Sequence, residues 1–67
     1  AVEPLSPRET DCLCWLARGL RNDRIAERLG VSAATVEMHL ARARRKLGAR
    51  TREQALARAI LAGYVTP

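Results

Sequence analysis

The sequence predicts an all-α fold, a four-helix bundle in one domain spanning 1–67, and three observations carry that reading. Ala, Leu and Arg dominate a chain with 3% aromatic residues and no Phe, a composition that favours helix over strand. Four isolated glycines, Gly19, Gly30, Gly48 and Gly63, each follow an apolar stretch with helical spacing, where a helix C-cap takes Gly. Capping residues Ser6, Asn22, Ser32 and Thr51 stand ahead of those stretches. With 48% hydrophobic and 28% charged residues the chain is globular rather than disordered. A chain this short buries only ~60% of its unfolded surface and is marginal alone.

The first helix is expected at about 7–18. Ser6-Pro7-Arg8-Glu9 reads as a capping box, with Pro at the first helical position and Glu at the third. Leu13, Leu16, Ala17 and Leu20 then recur on one face. Asn22 caps a second, short helix at 22–29, with Ile25, Ala26 and Leu29 inward. Ser32 caps a third helix at 33–47, whose inward stripe is Val36, Leu40, Ala43 and Leu47. Thr51-Arg52-Glu53-Gln54 reads as a second capping box and opens a fourth helix at 52–62, with Leu56, Ala59 and Ile60 inward. The ends, 1–4 and 65–67, are expected to be loose.

Charge is unevenly placed. The net charge is +5, yet residues 1–24 hold four basic and four acidic side chains and are neutral. Between Leu40 and Arg52 stand Arg42, Arg44, Arg45, Lys46, Arg50 and Arg52 with no acid among them. Such a local concentration suits a polyanion more than the net charge does. Other chemistries find little support. Cys12 and Cys14, the only cysteines, point about 200° apart on a helix and can neither pair nor share a metal. One His leaves no zinc set, so no metal and no cofactor is expected. No nucleophile, base and orienting group can be assembled, which argues against an enzyme and assigns no catalytic residue. Two buried or half-buried thiols suit a reducing cytoplasm. No apolar run is long enough to span a membrane, and no basic-apolar leader opens the chain. A first residue other than Met suggests a processed or excised fragment.

The second and third helices carry the functional signal. Counted from Asn22, Ala26 is fifth, Gly30 ninth and Val36 fifteenth. The fifth must be small where two helices cross, the ninth needs the positive φ that Gly tolerates, and the fifteenth packs back on the first helix. That spacing defines a helix-turn-helix at 22–47, a motif that lays its second helix in the DNA major groove. Opposite the Val36–Leu40–Ala43 stripe lie Ala34, Glu37, Met38, Ala41, Arg42 and Arg45, flanked by Thr35 and Lys46. Arg42 can donate a bidentate pair to guanine, Glu37 can accept from cytosine N4, and Met38 can touch a thymine methyl. Ser32 and Thr35 can meet a phosphate at the helix N-terminus. Arg45 and Lys46 close the helix on its basic side, where they also favour the helix dipole.

Leu5-Ser6-Pro7-Arg8-Glu9, Ala17-Arg18-Gly19, Ile25-Ala26, Leu29-Gly30-Val31-Ser32, Thr35-Val36, His39-Leu40, Arg45-Lys46-Leu47-Gly48 and Thr51-Arg52-Glu53-Gln54-Ala55 together resemble the LuxR/GerE family of helix-turn-helix domains. The resemblance runs from Leu5 to Tyr64. It implies a sequence-specific DNA-binding module of a bacterial transcription regulator, preceded by a sensor or receiver domain. Thr35, Val36, Arg45 and Lys46 match positions that meet the DNA backbone, Val36 through its main chain, and His39 matches a position near it. Positions 37, 38, 41 and 42 match the base-reading surface, although Glu37 and Ala41 depart from the Lys or polar residues often found there. Asp23-Arg24 reverses the usual basic-then-acidic order, which either removes a phosphate contact or moves it to Arg24. Trp15 resembles the quorum-sensing branch.

The resemblance further implies a homodimer through the fourth helix, on the face carrying Ala57, Arg58 and Leu61. A sigma-factor region-four domain is the nearest alternative among DNA binders, but it has Arg where this chain has His39 and lacks the fourth helix. A helical protein-interaction domain that keeps the fold without reading an operator is the alternative of another class. The basic face between Arg42 and Arg52 speaks against it.

Overall fold

Ser6 starts the first helix as its side-chain chemistry requires. Its Oγ accepts from the Glu9 N–H at 3.2 Å, and its own N–H donates to Glu9 Oε1 at 2.9 Å. The computed structural model describes residues 4–66 and resolves them into α1 (Pro7–Ala17), α2 (Asn22–Leu29), α3 (Ala33–Lys46) and α4 (Arg52–Leu61), with no strand among those residues. The fold is all-α, as expected. The part of the loose-ends expectation that concerns Ala1, Val2, Glu3 and Pro67 lies outside the described residues. Helices α1, α3 and α4 stop one residue earlier than expected, because Arg18, Leu47 and Ala62 act as C-caps whose N–H groups still bond into the last turn.

α3 is the centre of the packing, in contact with α1, α2 and α4. Its Val36, Leu40 and Ala43 are buried, and Leu47 is half-buried at its end. Ile25 and Ala26 of α2 meet them across the turn. Gly30 provides that turn at φ +69°, in the left-handed region, where an L side chain is strained and Gly is not. The adjoining Val31 N–H donates back to the Ala26 carbonyl at 3.0 Å and closes the helix end.

Five details differ from the sequence expectation. Asn22 does not cap α2. The N-cap is Arg21, extended at φ −81° and ψ 166° with no side-chain bond, while Asn22 Oδ1 accepts from the Arg52 guanidinium at 2.8 Å and ties α2 to the start of α4. The box at Thr51 is also shifted. Thr51 Oγ1 accepts from the Gln54 N–H at 3.0 Å, but Gln54 Oε1 reaches past Thr51 to the Arg50 N–H at 2.7 Å.

The other three concern the core. Leu16 and Ala17 of α1 and Leu20 just beyond it pack on the core but stay half-buried, and Cys12 and Glu9 are buried beside Leu13, because α1 is flanked by α2, α3 and α4 rather than by one partner. On α4, Ala55 and Ala59 are fully buried while Leu56 and Ile60 are half-buried. Small residues let α4 approach the bundle closely. Val65, in the tail expected to be loose, is 4% exposed and belongs to the core.

Candidate nucleic-acid interface

Burying one side of α3 decides what the other side presents. With Val36, Leu40 and Ala43 turned inward, Ala34, Glu37, Met38, Ala41, Arg42 and Arg45 are all exposed on the outer face. Ala34 and Ala41 leave that face low, so a helix carrying them can approach a groove floor closely. Met38, 41% exposed, is a large apolar residue set among charges. Neither Arg42 nor Arg45 has a hydrogen-bond or ion-pair partner among the described residues, so both guanidiniums are available to an outside acceptor.

The N-terminal end of α3 is capped by Ser32. Ser32 Oγ accepts from the Thr35 N–H at 3.1 Å and lies 2.9 Å from Thr35 Oγ1. The exposed Ala33 and Ala34 follow the cap, and their N–H groups belong to the first turn, which has no intrahelical acceptor for them. Val36, expected to offer its main chain to the DNA backbone, has no free donor. Its side chain is fully buried, and its N–H already donates to the Ser32 carbonyl at 3.1 Å. His39 is half-buried with Nδ1 enclosed and unpartnered among the described residues. Nε2 is therefore the ring nitrogen left for an outside partner.

The structure separates Lys46 from the other cations of the face. Its side chain is 17% exposed, and Nζ lies 2.8 Å from Glu9 Oε1 and 3.4 Å from the Pro4 carbonyl. Burial pushes the Glu9 carboxyl up. Hydrogen bonds from Lys46 and Ser6 and the Lys46 charge more than offset it, so the carboxyl sits below its ordinary range. The pair joins the first turn of α1 to the last turn of α3. Sequence reasoning placed Glu9 only in the capping box, and nothing local in the sequence links it to a lysine 37 residues away.

Ala57, Arg58 and Leu61 line the outward side of α4, all exposed, with Leu61 at 88%. Tyr64 borders them at 37% exposed. The Arg58 guanidinium donates to the Leu47 carbonyl at 3.1 Å, which ties α4 to the end of α3. Trp15, on a different face, is flanked by the Arg18 and Arg28 guanidiniums at 5.3 and 5.2 Å from its ring centre, within cation–π range.

Comparison with known proteins meets the same features. The family model described as "GerE: Bacterial regulatory proteins, luxR family" matches residues 3–59. The chain is 44% identical over 63 residues to the transcriptional activator protein VanR of Vibrio anguillarum, covering 94% of this chain and 26% of that protein. It is 46% identical over 64 residues to the uncharacterized transcriptional regulatory protein YxjL of Bacillus subtilis (strain 168), covering 96% of this chain and 29% of that one. The chain thus spans between a quarter and a third of the length of these relatives. The solved structure of the transcription factor GerE superposes with a TM-score of 0.89 at 29% identity, over 92% of each chain. The two share one fold, and with the family match over residues 3–59 the chain belongs to the luxR family of bacterial regulatory proteins.

Proposed function

We propose that this domain binds duplex DNA sequence-specifically in transcription regulation, with α3 in the major groove. The observation that carries the reading is the outer face of α3, where two unpartnered guanidiniums, Arg42 and Arg45, flank a low surface of alanines beside the exposed Glu37 and Met38. Arg42 reads guanine, Glu37 accepts from a cytosine amine, and Met38 packs on a thymine methyl. Ser32, Thr35, His39 Nε2 and Arg45 position the helix on the phosphates, and Val36, whose N–H is bonded within the helix, lends them no donor. Lys46 stands at the edge of this set. Its ammonium reaches a phosphate only by sharing itself with Glu9.

Two copies pair through Ala57, Arg58 and Leu61, which sets two recognition helices about one DNA turn, ~34 Å, apart. The domain works by binding, without a catalytic step, in the bacterial cytoplasm where its DNA lies. A sensor or receiver domain precedes it in the whole regulator, a reading supported by the greater length of the relatives.

Selection from random duplexes followed by mobility shifts tests this. Affinity for the selected site should exceed that for random duplex and fall steeply with salt. Arg42→Ala should cost ~1–3 kcal/mol on the selected site and relax one base position. Failure to bind any duplex at low salt would leave the fold serving protein interaction instead. Equal losses on selected and random DNA would make Arg42 a phosphate clamp.

A further inference from the structure

Beside the recognition surface lies a cleft that the sequence reading does not use. It is bounded by the start of α2, the outer side of α3 and the loop into α4, and Asn22, Glu37, Arg44, Arg50, Thr51 and Arg52 line it. Three guanidiniums converge there against one carboxylate. Two of the three are held in place by neutral acceptors. Arg44 donates to the Ala49 carbonyl at 3.1 Å, and Arg52 donates to Asn22 Oδ1 at 2.8 Å. Each of these acceptors is a neutral oxygen that fixes the direction of the fork. Arg52 Nε also lies 3.9 Å from the exposed Glu53 carboxylate, a surface pair that takes little from its charge. Both guanidiniums keep N–H donors to spare. Arg50 is exposed, and its side chain has no hydrogen-bond or ion-pair partner among the described residues. Its backbone N–H donates to Gln54 Oε1 at 2.7 Å, which fixes the place from which that side chain departs.

We propose that this cleft takes a phosphodiester of the DNA backbone, gripped by Arg50 and Arg52 and backed by Arg44, as a phosphate site separate from the N-terminal end of α3. The inference rests on the DNA-binding reading above and extends it to residues outside the recognition helix. Planar guanidinium forks match the paired oxygens of a phosphate. Two of the forks are already oriented, so little side-chain freedom is lost on binding.

Glu37 gives the site its sequence dependence. Its carboxylate lines the same cleft and repels a phosphate there until it accepts a hydrogen bond from a base amine. On random DNA that acceptor goes unused and the repulsion stays. On the matching site the base amine offsets it, so Glu37 sharpens discrimination by penalising the wrong sequence as well as by reading the right one.

Arg50→Ala is the cleanest probe, because its guanidinium supports nothing in the fold. Binding of wild type and variant to one fixed random-sequence duplex is measured over a range of salt. The slope of log affinity against log salt should fall by about 0.9. On a selected duplex, methylphosphonate is then placed at one phosphate after another. One neutralised position should weaken wild type and leave Arg50→Ala unaffected. Glu37→Gln should raise affinity for the random duplex while lowering it for the selected one.

An unchanged salt slope in Arg50→Ala, with no methylphosphonate position losing its effect in that variant, overturns the cleft as a phosphate site while DNA binding by α3 stands. Equal changes on both duplexes in Glu37→Gln remove its discriminating role. If wild type binds neither duplex at low salt, this site and the DNA reading fall together.

Discussion

Replacing Lys46 by Met tests whether the Glu9–Lys46 pair holds the fold. Glu9 is 2% exposed and its carboxylate lies 2.8 Å from Lys46 Nζ, so the substitution leaves a buried carboxylate with only the Ser6 bonds for compensation. Removing one partner of a buried pair costs roughly 3–5 kcal/mol. Whole domains hold roughly 0.05–0.15 kcal/mol per residue, which for 67 residues is about 3–10 kcal/mol. The loss is therefore a large fraction of the total, far above the median of about 0–1 kcal/mol for a surface pair.

Urea unfolding followed by helical circular dichroism reads this directly, and pH supplies a second signature. In the wild type the Glu9 carboxyl sits below its ordinary range. Its contribution is therefore present above the unfolded value of about 4.3 and is lost as pH falls through the folded pKa. In Lys46→Met, burial is left to raise the carboxyl, and protonation relieves the buried charge. The gap between the two proteins should thus be wide at neutral pH and narrow towards acid. Glu9→Gln combined with Lys46→Met should cost less than the sum of the two single changes. A loss below about 1 kcal/mol at neutral pH, or a gap that stays constant down to acid, refutes a structural pair. In that case Lys46 turns outward to DNA, and the variant's salt slope should fall by about one unit.

Three further outcomes follow from named residues. Leu61→Glu should leave stability unchanged, because Leu61 is 88% exposed. It should abolish cooperative occupancy of a two-half-site duplex in mobility shifts while sparing a single half-site, and surviving cooperativity would place the dimer elsewhere. Gly30→Ala introduces a Cβ that meets nothing within 4 Å, so its cost is backbone strain alone, ~1–2 kcal/mol at a φ of +69°. Urea unfolding checks it, and a variant as stable as wild type would show that the turn adopts another conformation. Burial, aided by Asp11, pushes the Cys12 thiol up, so iodoacetamide at pH about 8 should label the half-buried Cys14 first. Mass spectrometry of the peptides gives the order, and equal rates would mean that α1 opens readily.

What could be read in the sequence was what adjacent residues decide. Gly30 and the spacing of Ala26 and Val36 specify the turn between α2 and α3, because positive φ and a close helix crossing each admit few residue types. The Ser6 box formed as its sequence implies, and the stripe Val36, Leu40 and Ala43 lies inward because one helical period sets it. The misses lie where a distant partner competes for a side chain. Asn22 has the chemistry of an N-cap, yet the Arg52 guanidinium, 30 residues on, claims its carbonyl oxygen. Lys46 reads as one more cation on a basic face, until Glu9 of another helix takes it. Val65 is buried because the tail after α4 closes over the bundle, which no periodicity within α4 states, whereas Ala55 lies one turn before the inward Ala59 and shares its face.

The same distinction orders the interface. Where α3 alone decides, as at Glu37, Met38, Ala41, Arg42 and Arg45, sequence and structure agree on what faces outward. A second helix changes what a cation can do. Basic residues that look alike in a run divide into three kinds. Arg42, Arg45 and Arg50 remain open to outside acceptors. Arg44 and Arg52 are oriented by neutral oxygens, Arg52 with a loose, exposed pair to Glu53 at 3.9 Å besides. Lys46 is neutralised by a buried carboxylate. A charge run thus bounds the number of phosphate contacts from above, and the cross-helix bonds decide how many of them the protein can make at once.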